Sequence, residues 1–278
     1  LYILDKSPLS PDADVEQAVN TASALAQAGA EVELVFPWYK KQEPLKPEDL
    51  IKRYGLSRCP ELNAVPLGFK STLAQQFVFF LGLFFSLRHS QHDIVYTRKT
   101  EIAALALWRG ARVALDQYKP LHYHPWFIKR LLKSVLSHRG FTTLFLHSSY
   151  AQAAFLEAGI PDERLMTAYN GAHLPKDNAV GRQDLGLPDV LIASYAGRVR
   201  TGKGLDLLLS LARTFPQATF VFIGADGVDK ALEERMAEQR NILLLPWMPA
   251  SQVHNYLKCS DILLLPPTSD PLIKARNT

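Results

Sequence analysis

Short apolar runs alternate with helix-length amphipathic segments almost from end to end of the chain, and this alternation constrains the fold most. Strands buried on both faces read as continuous apolar runs, and helices between them provide the crossovers that parallel pairing requires. In the first half, residues 1–4, 31–36, 93–96, 112–115, 143–147 and 165–169 read as strands, with helices over 14–28, 102–108, 126–137 and 150–158. The first of these helices places Val15, Val19, Ala22, Leu25 and Ala26 on one face and closes at Gly29, and Ser148 or Ser149 can cap the last one. Residues 170–189 break the pattern, with three glycines, two prolines and no periodic apolar face. The alternation then resumes: strands at 190–195, 219–223, 242–245 and 262–265, helices at 203–214, 229–239 and 251–259. The expectation is an α/β protein of two halves, 1–170 and 190–278, joined by a linker at 171–189.

Composition narrows the class of partner. With 47% hydrophobic and 21% charged residues in 278, the chain can bury a sizeable core, which excludes disorder, collagen and coiled coil. Cys59 and Cys259 are 200 positions apart with no zinc-like spacing near either, so they read as two buried small hydrophobes in a reducing, cytoplasmic setting. The net charge of +4 does not call for nucleic acid, but it is unevenly placed. Between Arg88 and Arg139 stand ten Lys/Arg against Asp93, Glu101 and Asp116, together with five of the eight histidines. Such a cluster suits a phosphorylated substrate or an acidic lipid surface, or is a solvated face spread around two helices. The most apolar stretch, FVFFLGLFFSL over 77–87, is eleven residues long, short of the ~20 needed to span a bilayer, and reads as a buried or interfacial helix. No secretory signal is visible, and the chain opens on Leu1 rather than methionine.

The strongest chemical signal opens the second half. A strand at 190–195 runs into Ala196-Gly197-Arg198-Val199-Arg200-Thr201-Gly202-Lys203-Gly204 and then a helix. A glycine-bearing loop between a strand's carboxyl end and a helix's amino end offers backbone N–H groups and a positive dipole end to an anion. Arg198, as a bidentate fork, and Lys203, as a point charge, can straddle a diphosphate. The stretch nearly matches the GxxxxGK[ST] P-loop, but Gly204 has no hydroxyl for a magnesium ion, and neither Asp226 nor Asp261 follows an apolar strand as a metal-holding acid should. A capped helix start with two surface cations is the plainer alternative.

The loop resembles the GR…KG motif of glycosyltransferase family 4, which has the GT-B fold, and four further stretches carry the same resemblance in order. They are His147-Ser148-Ser149-Tyr150 with Gly159-Ile160-Pro161 and Asn170-Gly171; Phe222-Ile223-Gly224-Ala225-Asp226-Gly227; residues 242–249; and Ser260-Asp261 followed by the apolar run to Pro266. The likeness is close over about 140–267 and holds in outline over the first hundred residues.

The resemblance implies two facing Rossmann-like domains, the second incomplete, with a nucleoside-diphosphate sugar as donor substrate, no permanently bound cofactor and no metal. It implies that Gly197, Arg198, Lys203 and Gly204 hold the diphosphate, with the base near Trp247 and Met248. Gly224 and Gly227 would let backbone approach the donor or simply turn the chain, and Trp247 would flank a base or fill partial core. Asp116 stands near the family's acidic position and Tyr118 near its histidine; His122 or His124, a few residues on, would reach the sugar or a phosphate from the cleft wall or be a solvated pair in a loop. The turn after the first strand, Asp5 to Pro11, lacks the family's glycines, and of the paired acids spaced by seven residues only Asp270 remains after Pro266. The reading is a fragment, truncated at both ends, of a retaining transferase acting on a glycan, lipid-linked or small-molecule acceptor, peripheral to a membrane and independent of nucleic acid. The competing class is a non-catalytic nucleotide-sugar binding module.

Overall fold

The structure is a computed structural model that describes residues 1–39, 43–67, 72–87, 92–171, 180–199, 203–225 and 230–266. It divides into two units, Leu1–Gly171 and Ala172–Thr278.

In the first unit the strands are β1 (Tyr2–Ile3), β2 (Glu33–Tyr39), β3 (Glu61–Leu67), β4 (Val95–Thr97), β5 (Val113–Gln117), β6 (Phe141–Leu146) and β7 (Leu165–Thr167). The helices between them are α1 (Ala13–Gln27), α2 (Pro47–Tyr54), α3 (Thr72–Leu87), α4 (Thr100–Trp108), α5 (Trp126–Ser137) and α6 (Ser149–Glu157). Among the described residues all seven strands pair in parallel, in the order β3-β2-β1-β4-β5-β6-β7. Val15, Ala18, Val19 and Ala22 of α1 and Leu50 and Tyr54 of α2 share one core cluster with Leu34 and Phe36. Phe79, Leu83 and Leu87 of α3, Ile102 and Ala106 of α4, and Leu132 and Val135 of α5 share another with Ile3, Val35 and Leu115. Neighbouring strand positions such as Leu34 and Val35 thus serve opposite faces, the period-2 consequence of the pleat. Each large side chain so buried is worth roughly 1.5–3 kcal/mol, well above the few tenths that helix propensity contributes per residue.

The second unit comprises β8 (Ile192–Ala196), α7 (Leu205–Thr214), β9 (Thr219–Ile223), α8 (Lys230–Ala237), β10 (Ile242–Leu245), α9 (Ala250–Lys258) and β11 (Ile262–Leu263). Its strands also pair in parallel, in the order β10-β9-β8-β11. Counted from the first strand of each unit, both sheets therefore run 3-2-1-4 across their centres. The order reverses between β1 and β4 in one and between β8 and β11 in the other, and ligands of open α/β sheets bind at that reversal, beyond the strands' carboxyl ends.

Two sequence expectations change. Strand β3 and helix α2 lie in a stretch to which the periodicity assigns no element: β3 is an edge strand with Glu61, Asn63 and Pro66 along it, the composition an edge tolerates because one side of its ladder needs no partner. Cys59 and Cys259 are each half-buried free thiols rather than fully buried ones. The described part of the expected linker, residues 180–189, is tied into the second unit. Arg182 donates through Nε to the Cys259 carbonyl (2.9 Å) and through Nη1 to that of Val190 (2.9 Å), and its Nη2 is 2.7 Å from Asp261 Oδ2. Among the described residues no helix is long and apolar enough to cross a membrane.

Candidate functional site

Three strand ends of the second unit meet at one rim. Beyond β8, the Gly197 N–H donates to the Ile223 carbonyl (2.9 Å) and the Val199 N–H to the Gly224 carbonyl (3.1 Å), laying the Gly197–Val199 segment along the end of β9. The N–H groups of Gly224 and Ala225 both donate to Leu245 O at the end of β10 (3.0 Å each), where Pro246, Trp247 and Met248 follow. Gly224 has φ +103°, and a Cβ there would lie 2.6 Å from the Gly197 carbonyl oxygen, so only glycine permits this backbone approach. The Tyr195 hydroxyl donates to the Arg198 carbonyl (3.2 Å) and steadies the loop from beneath.

The rim thus brings together Gly197, Arg198, Gly224, Trp247 and Met248. The Arg198 side chain is exposed and Trp247 is 40% exposed, whereas Met248 packs against the core cluster of Val221 and Ile223. Lys203 and Gly204 stand at the start of α7, where Gly204 adopts φ +70° as the N-cap and brings no side chain to satisfy the first amides of the helix. One expectation is modified: the amides of Gly197 and Val199 are engaged by the Ile223 and Gly224 carbonyls, so they are not offered to a ligand. Gly227 and Asp270 lie outside the described residues. Asp261, an acid weighed for a metal-binding P-loop, sits at the opposite end of the sheet, accepting from the Ile192 N–H (2.8 Å) beside Arg182. Those two bonds hold its carboxyl below the usual carboxylate range.

In the first unit a buried charged cluster spans three adjacent strand ends. Asp116, near the end of β5, is 4% exposed. His147, just beyond β6, places Nε2 2.5 Å from Asp116 Oδ1, and Arg98, just beyond β4, places Nε 3.6 Å from Oδ2. Arg98 is further fixed by donating to the Asp14 carbonyl (3.0 Å), and Gln117 donates to the Arg98 carbonyl (3.3 Å). Burial, reinforced by the Asp116 carboxylate, pushes the Tyr96 phenol far above its ordinary value and keeps it neutral. Asp116 is legible in the sequence, whereas His147 reads there only as the head of a helix motif and Arg98 only as one cation among many. The signal that marks all three is a polar residue at the carboxyl end of an apolar strand, repeated on neighbours in the sheet.

At the β1/β4 reversal a crevice of about 280 Å³ is lined by Asp5, Asp14, Arg98, Lys99, Gln117 and His124 among others. It shares Asp5, Lys99 and Glu101 with a second hollow of about 460 Å³ that reaches Tyr39 and, on α3, Phe79 and Phe80. Lys99 Nζ is 2.9 Å from Asp5 Oδ2 between them. Burial, then the neighbouring Lys119 charge, lowers the His124 pKa, so the imidazole is neutral near pH 7. Its buried Nε2 has no hydrogen-bond partner among the described residues. His122 differs: it is exposed on the turn Leu121–Tyr123, against the Tyr123 ring at 4.2 Å, and does not line the crevice.

Two parallel α/β units, each with its order reversal at the carboxyl ends of its strands, define a protein of the GT-B fold class. The chain belongs to glycosyltransferase family 4: the model described as Glycosyltransferase Family 4 matches residues 15–175, and that described as Glycosyl transferases group 1 matches residues 180–272. Among curated proteins it is similar to the alpha-galactosylglucosyldiacylglycerol synthase of Streptococcus pneumoniae strain R6, 27% identical over 161 residues, a match spanning 51% of this chain and 42% of that protein. Among solved structures it resembles sucrose-phosphate synthase from Thermosynechococcus elongatus (TM-score 0.70, 15% identity, 99% of this chain and 77% of that one). It also resembles Anabaena HepE in complex with UDP and glucose (TM-score 0.65, 16% identity, 94% and 72%). The Neisseria meningitidis UDP-GlcNAc 2-epimerase bound to UDP-GlcNAc has the same fold (TM-score 0.63, 13% identity, 94% and 76%).

Proposed function

We propose that the chain carries the donor and acceptor sites of a retaining glycosyltransferase. It would move a sugar from a nucleoside-diphosphate sugar to an envelope glycan or lipid-linked acceptor at the cytoplasmic face of a membrane. The observation that carries this reading is the rim of the second unit, where Arg198, Lys203 and the amino end of α7 follow a loop held in place through Gly224. Breaking the sugar–phosphate bond leaves negative charge on the departing diphosphate, and cations and helix dipoles fixed in advance stabilise that charge where it develops. The UDP complexes among the structural relatives favour a uridine donor, and the diacylglycerol-linked product named for the pneumococcal relative favours a lipid acceptor.

In the first unit, His124 is the group proposed to meet the acceptor or the transferred sugar, through the unpartnered Nε2 in the β1/β4 crevice. Asp116 is engaged by His147 and Arg98 and acts as a positioning group that fixes His147, rather than as a base. As the family resemblance implies, Gly227 would let backbone approach the donor, Asp270 would help position the transferred sugar, and the exposed His122 would reach the sugar or a phosphate. The donor rim needs no divalent ion to neutralise the diphosphate, because Arg198 and Lys203 supply two positive charges.

The test is calorimetric titration of the chain with UDP, GDP and ADP, with and without EDTA, followed by assay of nucleoside-diphosphate release from the matching sugars. One nucleotide should bind regardless of EDTA. Replacing Arg198 or Lys203 by Ala should weaken it by roughly 1.5–3 kcal/mol, the worth of a charged hydrogen bond. Unchanged affinity in both variants would make the loop structural, and strict magnesium dependence would restore the P-loop reading. Binding with no sugar transfer by a chain extended to the full length of its relatives would favour a binding module. The anomeric configuration of the product, read by NMR, decides whether transfer is retaining.

A further inference from the structure

Helix α3 is anomalous. Over Thr72–Leu87 it carries no charged residue, and it is apolar on both faces, which suits a helix buried all round. Only one face is buried. Phe79, Leu83 and Leu87 are at most 5% exposed, whereas Phe77, Leu81 and Phe85, spaced i, i+4, i+8 on the opposite face, are 69%, 45% and 56% exposed. The apolar surface continues across its neighbour: the Phe84 ring lies 5.5 Å from that of Trp108 at the end of α4, and Trp108 is 72% exposed. Helix α5, packed against α4, opens with Trp126 and Phe127, 74% and 56% exposed.

Apart from Glu101, which stands in the first turn of α4 and lines the crevice, the charges on these helices are of one sign. From residue 102 to residue 139 the one acid is Asp116, which is buried, while Arg109, Arg112, Lys129, Arg130, Lys133 and Arg139 make no ion pair among the described residues. Arg109 lies over the Phe84 ring at 4.5 Å, joining the basic set to the aromatic one.

We propose that the outer face of α3, α4 and α5 docks the chain onto an anionic lipid bilayer, with the α3 stripe and the Trp side chains entering the interface and the basic residues meeting acidic headgroups. Exposed aromatic and aliphatic side chains with Lys and Arg beside them are the chemistry of interfacial binding. A second copy of the chain fits less well, because a two-fold contact through this patch sets its cations against the same cations of the other copy. The surface bears on where the proposed acceptor is met, but its test reads lipid binding and stands apart from sugar transfer.

The experiment is sedimentation of the chain with phosphatidylcholine vesicles, with and without phosphatidylglycerol. Circular dichroism melts confirm that each variant is folded. Binding is expected only with phosphatidylglycerol and should weaken as salt rises. Brominated acyl chains should quench tryptophan emission, and the quenching should be lost in the Trp108→Phe, Trp126→Phe variant. Exchanging Lys129, Arg130 and Lys133 together for Gln should lower partition about a hundredfold, from about fivefold per cation near an acidic surface. Exchanging Phe77, Leu81 and Phe85 for Ser should abolish quenching. Equal binding to neutral vesicles, no binding to either, or binding that both sets of substitutions leave unchanged would overturn the proposal. So would a dimer that the Ser substitutions dissolve without any partition onto lipid.

Discussion

Replacing Gly224 by Ala puts a single methyl group where the structure has the least room for one. Two costs arise. The first is backbone strain at φ +103°, about 1–2 kcal/mol for a residue with a Cβ in the left-handed region. The second is overlap: the new Cβ begins 2.6 Å from the Gly197 carbonyl oxygen, which belongs to fixed backbone and not to a side chain that can swing away. Forcing such a contact open typically costs 1–3 kcal/mol, and the expected total is about 3 kcal/mol. Gly186 provides the comparison within the same unit, because its φ is +65° and a Cβ there meets nothing within 4 Å. Gly186→Ala should therefore lose only the strain, about 1 kcal/mol. The assay is native-state hydrogen exchange of β8 and β9 amides in both variants, with nucleotide titration alongside. Gly224→Ala should also displace the Gly197–Val199 segment, lengthening the Val199 N–H bond to the Gly224 carbonyl, and weaken nucleotide binding. Equal protection in the two variants, with unchanged affinity in Gly224→Ala, would refute the claim that this approach sets the loop.

Replacing Asp116 by Asn removes the shared partner of Arg98 and His147 in a buried cluster and should cost about 3 kcal/mol in the urea unfolding of the first unit. The His124 imidazole should titrate by NMR below its ordinary 6.5. Because the unfolded chain then binds the proton more readily, the contribution of His124 to stability is complete above pH 6.5 and lost as pH falls through the folded midpoint, and His124→Gln should flatten that part of the profile. Arg182→Ala removes the donors to the Cys259 and Val190 carbonyls together with the Asp261 pair, and should raise hydrogen exchange at Ile192 and in residues 180–189 ahead of the rest of the second unit.

Much of the fold is legible because central parallel strands bury both faces. Residues 219–223, an apolar run after Thr219, then coincide with the central strand β9, buried from Phe220 to Ile223, and the equally apolar 242–245 coincides with β10 although that strand is outermost and half-buried. Strand β3 escapes the same reasoning because an edge strand buries little: Glu61, Asn63 and Ala64 alternate without a marked apolar face, and Pro66 argues against a strand until its place at the edge is known. The donor rim is legible as a motif, since glycines and cations between a strand and a helix have a local cause. Its limits are not, because the commitment of the Gly197 and Val199 amides depends on carbonyls of a different strand. The Asp116 cluster is hidden for the same reason: His147 stands 31 positions from Asp116 and becomes its neighbour only when β5 and β6 pair.

The outer strands of the two sheets also differ in how they treat other molecules. In β3, Glu61 and Pro66 deny a stray chain the regular ladder it would need to add on. Strand β11, outermost in the second sheet among the described residues, has no such guard: Ile262 and Leu263 are 45% and 61% exposed, and Leu265 just beyond them is 85% exposed. Colloidal behaviour should follow that asymmetry. Light scattering at rising protein concentration should show self-association that Leu263→Lys suppresses and that Asn63→Lys on β3 leaves unchanged, which makes the β11 edge the place to protect when the chain is concentrated.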